Sequence, residues 1–188
     1  MPVIDITLLP GYAPEVQARL LQRVARATRS VIASAPAGTV VFVREASTYQ
    51  RDGRVFQGGG PARPEASGLV RHFLERMQER DLPAARTLLA PGFVMHFPGA
   101  APMHQLEELV AWGRGRYQRV GKVYERFEES WDDDATVVYC SGTLHGVWLD
   151  GSAFEGIRFI DRFEVVDGLI VRQDVWNDLA EQRPMSAA

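Results

Sequence analysis

The chain has a single cysteine, Cys140, in 188 residues. That excludes an intrachain disulfide and is what a protein kept in a reducing cytoplasm shows. Cys140 lies inside an apolar, strand-like run, where a thiol is packed rather than nucleophilic. No apolar run approaches the roughly 20 residues of a membrane helix. No basic start precedes an apolar core as in a secretory signal. A cytoplasmic location with no membrane partner is therefore expected. His72, His104 and His145 have no partners at metal-ligating spacing, and there is no Glu-x-x-His or Cys/His cluster, so neither a metal nor another cofactor is expected. Gly58-Gly59-Gly60 lacks the Lys-Ser/Thr that would make it a phosphate loop. The arginines are spread out and the net charge is −3, which leaves no nucleic-acid patch.

What is present is an ordinary globular composition, 46% hydrophobic and 24% charged. The charge is divided unevenly. Residues 1–64 carry eight Arg and four acidic residues, a balance of +4, and residues 65–188 carry thirteen basic and twenty acidic residues, a balance of −7. Between the two lies Gln57-Gly58-Gly59-Gly60-Pro61-Ala62-Arg63-Pro64, a Gly/Pro-rich boundary. The reading is α+β with two domains: residues 1–60, a linker over 61–66, residues 67–183, and a tail over 184–188.

The first domain opens on a strand, Val3 to Leu8, stopped by Pro10-Gly11. From Pro14 to Ser34 the spacing is helical, with Val16, Leu20, Val24, Ala27 and Val31 on one stripe and Arg19, Arg23 and Arg26 opposite. Pro14 and Glu15 suit a helix start. Val40-Val41-Phe42-Val43 is a continuous apolar strand, and the long crossover makes it parallel to the first. Tyr49 to Phe56 forms a hairpin about Asp52-Gly53. A one-helix unit of about sixty residues buries little surface alone, so self-association is expected.

Residues 2–60 resemble the tautomerase superfamily of the 4-oxalocrotonate tautomerase type. The resemblance rests on Pro2 heading the first strand, Gly11, the long helix, the Val40–Val43 strand followed by Glu45, and Gly59-Gly60. It implies a catalytic amino-terminal proline, once Met1 is removed, and assembly from βαβ units, commonly as hexamers. A free α-amine titrates near about 7.7–8.0 and serves as base or nucleophile. Tyr12 and Val40 stand where the family has substrate-binding arginines, which argues against its usual dicarboxylate substrate. Arg51 and Arg54 are the replacement anion binders, if they are not simply solvated, and Phe56 matches the aromatic that closes the site.

From Glu65 the pattern changes. Leu69, Phe73, Leu74 and Met77 share a helical face; Pro83–Leu89 and His104–Tyr117 are two further helices, with the strand Phe93–Pro98 between them. A meander follows over Lys122–Trp131, Thr136–Trp148, Ala153–Val166 and Leu169–Asn177, with turns at Asp132-Asp133-Asp134, Asp150-Gly151 and Asp167-Gly168. This half resembles the SnoaL-like branch of the NTF2-like superfamily, on Phe93-Val94-Met95-His96 and on the ending from Phe163 to Asp178. The resemblance implies a cone of three helices and a curved antiparallel sheet around a pocket.

A two-residue turn at Asp167-Gly168 would place Asp174 opposite Asp161, with both carboxylates on one face beside Arg172 and Trp176. Paired carboxylates push one pKa up and make an acid or base; the alternative is a salt-bridged sheet face in which Arg172 neutralises Asp161 or Asp174. The resemblance makes Asp174 the acid/base of the final strand. His96 would line the same cavity. The leading expectation is a proline-dependent tautomerase or isomerase acting on a small carbonyl or enol compound. Alternatives are isomerase or cyclase chemistry in the second domain, or a non-catalytic ligand-binding or dimerisation module. The expected partners are a small-molecule substrate and further copies of the chain, as a dimer or hexamer.

Overall fold

A computed structural model describes residues 1–46, 48–57, 63–132 and 134–182, with the side chains of Phe56 and Gln182 outside the description. The chain divides into two compact units, Met1–Arg63 and Pro64–Ala188.

Unit 1 has a βαβ order. Strand β1 (Val3–Leu8) pairs in parallel with β2 (Val40–Glu45), and helix α1 (Pro14–Val31) makes the crossover. Pro14 opens the helix with its preset φ, and Glu15 meets the positive N-terminal dipole. The helix ends three residues before the expected Ser34, where Ile32 turns extended. The stripe is incompletely covered: Val16, Leu20 and Val24 are half-buried and Val31 is exposed. A hairpin of β3 (Thr48–Arg51) and β4 (Arg54–Gln57) turns through Asp52 and Gly53, both at positive φ, and forms its own two-stranded sheet. The expected Gly58–Gly60 feature and the first two residues of the linker, 61 and 62, lie outside the described residues.

Unit 2 places its helices first and its long strands last. Helices α2 (Ala66–Gln78) and α3 (Leu82–Arg86) precede β5 (Leu89–His96), then α4 (Leu106–Arg114), then strands β6 (Tyr117–Asp132), β7 (Ala135–Trp148), β8 (Ala153–Val166) and β9 (Leu169–Asn177), with a last turn of helix, α5 (Leu179–Gln182). The third helix is shorter than the spacing predicts, because Tyr117 joins β6. The five strands form one curved sheet in the order β5-β9-β8-β7-β6. It is mixed rather than wholly antiparallel: β5 runs parallel to β9. Asp81 caps α3 by accepting from the Ala84 N–H at 3.1 Å.

The core lies between α2 and the inner face of the sheet. Val70, Phe73 and Leu74 of α2 meet Phe163, Val138 and Ile170, and Phe73 packs edge-on to Phe163 with ring centroids 6.0 Å apart. The strands bend through irregularities at Tyr124/Arg126 and Leu144/Gly146. Gly142 faces the first of these. A Cβ there would come within 1.9 Å of the Val123 carbonyl oxygen, so the bend requires glycine.

Candidate functional site

The β8–β9 hairpin sets the site, and it corrects the predicted register. Asp167 and Gly168 both take positive φ, as a two-residue turn demands. Beyond Val165–Ile170 the register slips, so that Glu164 faces Arg172, Arg162 faces Asp174 and Asp161 faces Val175. One extra residue in β9 moves every later side chain to the other face. Asp161 and Asp174 therefore do not share a face.

The inner face lines a cavity of about 550 Å³. Helices α2 and α4 wall it through Phe73, Met77 and Trp112; β6 contributes Tyr117, Lys122 and Tyr124; Phe159, Gln173 and Val175 form the floor. Aromatic rings stand among aliphatic and polar side chains in the wall. Phe97 and Trp112 meet edge-on at 5.4 Å, and Tyr124 and Phe159 at 5.8 Å. A concave, partly apolar pocket with a few polar groups is the usual form of a small-molecule site.

One charged pair lies in this setting. Lys122 Nζ forms an ion pair and a hydrogen bond with Asp161 Oδ2, and stands 4.3 Å from the centre of the Phe159 ring. Asp161 is fully buried, whereas the Lys122 side chain is 21% exposed and lines the cavity. Lys122 is thus the way from the carboxylate to any ligand. Gln173 Nε2 also donates to Asp161 Oδ2, at 3.4 Å. Asp161 Oδ1 and Gln173 Oε1 are buried acceptors without a hydrogen-bond partner. Two orphaned acceptors beside one cation mark a site with unused hydrogen-bonding capacity.

Burial pushes the Asp161 carboxyl up from the usual carboxylate range, although the Lys122 charge and hydrogen bond pull the other way. Burial also raises the Tyr124 hydroxyl, with the Asp161 charge adding to it, so Tyr124 is a neutral donor at the cavity wall. Cys140, opposite Asp161 in β7, is pushed up to about 12, chiefly by burial, and is an inert packed thiol.

The outer face holds a different cluster. Asp174 accepts from Arg172 Nε at 2.8 and 3.0 Å and from Arg162 at 3.4 Å, and lies 2.9 Å from His96 Nδ1. Arg162 also binds Glu164 at 2.5 Å. Burial raises the Asp174 carboxyl, but the Arg172 hydrogen bond and charge, followed by His96, hold it below the usual range. The residues expected to line one pocket are thereby separated. Asp174 and His96 share the outer cluster, Trp176 is exposed, and Asp161 stands behind the cavity. Sequence reasoning passed over Lys122, Gln173 and Tyr124, although one lysine among twenty arginines was a usable signal.

In unit 1, Pro2 is half-buried and its carbonyl accepts from the Val40 N–H at 3.1 Å. Its nitrogen is an amide to Met1 and becomes an amine only when Met1 is removed. The Tyr12 carbonyl accepts from Gln17 Nε2 at 3.1 Å, and that same amide donates to Glu45 at 2.8 Å. Arg51 lies 3.5 Å from its neighbour Asp52, and both are exposed. Arg54 is exposed, across the hairpin from Arg51. The Phe56 side chain lies outside the described residues. Arg51 and Arg54 belong to a separate sheet from the one Pro2 heads. Among the described residues no group of three or more His, Cys, Asp or Glu is placed to hold a metal ion, and no helix is long and apolar enough to cross a membrane.

A curved sheet packed against helices, with a cavity on its inner face, is an NTF2-like fold. More particularly, the SnoaL-like domain family matches residues 70–173, more than half of the chain, and the chain belongs to that family. Solved structures agree on the fold. An NTF2-like protein of unknown function from Burkholderia pseudomallei is 20% identical, with a TM-score of 0.56 over 66% of this chain and 100% of that one. A putative polyketide cyclase from Pseudomonas putida is 16% identical, with a TM-score of 0.52 over 66% of this chain and 99% of that one. A second putative polyketide cyclase, from Xanthomonas campestris, is 19% identical, with a TM-score of 0.50 over 62% and 92%. No curated protein matches the chain. The family match begins at residue 70, so unit 1 is assigned its βαβ order and nothing finer.

Proposed function

We propose that the chain is an isomerase or cyclase working in the cavity of unit 2, with Lys122 and Asp161 as its proton-handling pair. The observation that carries this reading is the fully buried Asp161 joined to a cavity-lining lysine. Two of the structural relatives are described as putative polyketide cyclases, which agrees with chemistry at such a pocket. The substrate class is a small, flat carbonyl or enol compound that fits between Trp112, Tyr124 and Phe159. Both isomerisation and cyclisation begin with loss of a proton from carbon next to a carbonyl, and a positioned base performs that step. Lys122 polarises the carbonyl, the raised Asp161 carboxyl keeps the proton within reach, and the Tyr124 hydroxyl donates to the enolate oxygen.

The test is deuterium incorporation from D2O into cyclic and aryl 1,3-diketones, followed by NMR. The full chain is expected to exceed the buffer rate, and Asp161→Asn is expected to abolish the excess. Retention in Asp161→Asn with loss in Pro2→Ala would move the chemistry to unit 1, where the tautomerase resemblance places it.

A further inference from the structure

Where this chain needs a cation it uses arginine twenty times and lysine once. The one lysine is Lys122, which lines the cavity and is hydrogen-bonded to a carboxylate with no exposure at all. Arginine would hold that ion pair with more hydrogen bonds, but its guanidinium does not give up its proton in a protein. Lysine differs from arginine in one chemical respect that matters here: once deprotonated, it is a nucleophile.

From this placement we infer that Lys122 binds carbonyl ligands covalently, as an imine, with Asp161 as its proton partner. The inference rests on the cavity being the working site. Its chemistry balances without any outside reagent. One proton passes from the Nζ ammonium to Asp161, freeing the amine. The Nζ lone pair then bonds to the carbonyl carbon, and the C=O electron pair moves to oxygen. That oxygen takes a proton from Nζ, Asp161 returns its own proton to Nζ, and Nζ passes one more proton to the hydroxyl. The C–O bond breaks, water leaves and the C=N bond forms. Three hydrogens on Nζ become one on the iminium and two on water. The ion pair with Asp161 is restored, so the buried carboxylate keeps a cationic partner throughout. The iminium acidifies the neighbouring C–H, which is the proton an isomerase or cyclase must move.

The single lysine makes the test direct. The full chain is treated with benzaldehyde and sodium cyanoborohydride, which reduces an imine to a stable benzylamine, and is then digested with trypsin. Only two kinds of amine exist, Lys122 and the chain's α-amine. In unfolded chain the α-amine, the weaker base, is labelled first. In folded chain Lys122 is expected to be labelled first, at about one benzyl group per molecule, read as an uncleaved peptide from Val120 to Arg126. The order is expected to reverse in denaturing urea.

Asp161→Asn is expected to slow Lys122 labelling about a hundredfold or more, the scale of a lost general acid. Lys122→Arg, which keeps the cation, is expected to abolish both the adduct and the deuterium exchange. Folded chain labelled at the α-amine but not at Lys122 overturns the imine. So does deuterium exchange surviving in Lys122→Arg. If Lys122 labels as expected while Asp161→Asn keeps full exchange, the proton-handling role of Asp161 fails and the imine stands.

Discussion

Asp161 and Asp174 are near neighbours across one hairpin, on β8 and β9, yet their surroundings differ in every respect that governs chemistry. Asp161 points inward, has no exposure, one cationic partner and one unpartnered oxygen. Asp174 points outward and is held by two arginines and a histidine. The first carboxyl is pushed up by burial, and the second is held down by its charged partners. A carboxylate with every acceptor filled is a structural tie. One with a single partner and a cavity beyond that partner is positioned to work.

The largest expected effect separates the two aspartates by activity. Asp161→Asn should reduce carbon-proton exchange about a hundredfold or more, the usual scale for a lost acid–base group. Asp174→Asn should leave exchange within about threefold, because it acts only through sheet stability. Equal losses would erase the distinction. Next in size is stability. Lys122→Met leaves a buried carboxylate unpaired and should cost about 3–5 kcal/mol in urea unfolding. Arg172→Met, at a half-exposed pair, should cost about 1 kcal/mol or less.

A smaller effect sharpens the comparison through its sign. Asp161 holds its proton more tightly folded than unfolded, so it removes stability as pH rises from the ordinary carboxylate range toward its raised folded pKa. Asp174 behaves oppositely: its contribution is present above that range and is lost as pH falls through it. Denaturation midpoints measured from about pH 3 to pH 8 should therefore show Asp161→Asn relieving a decline toward higher pH. Asp174→Asn should flatten the acid limb. Slopes of the same sign would break the comparison.

The two units differ in a comparable way. Unit 2 has a contiguous buried core, whereas no described residue of unit 1 is fully buried, and Val3, Phe42 and Val55 are half or more exposed. A βαβ unit of this size lacks the surface to close on itself. Light scattering at micromolar concentration is expected to show an assembly larger than one chain, and a monomer would remove that expectation.

Much of the fold was legible because periodicity is local. The alternation in β7 to β9, the Asp-Gly turns, the amphipathic α1 and the apolar β2 each announce their state within a few residues. The parallel placement of β5 beside β9 was not legible, since nothing in Phe93–His96 names its partner strand. The site was misread for one physical reason. Its geometry depends on a one-residue slip after Val165, and strand periodicity is two, so a single extra residue exchanges the inner and outer faces.

The sequence by itself determined that two aspartates and several aromatics would lie on the last hairpin, and that Pro2 would head a βαβ unit. It also contained a single lysine, whose partner lies thirty-nine positions away. Only the tertiary structure decided which aspartate faces the cavity and that Lys122 meets it. Both depend on register and on the bending of β6 around Gly142, which are properties of strands in contact and not of any strand alone.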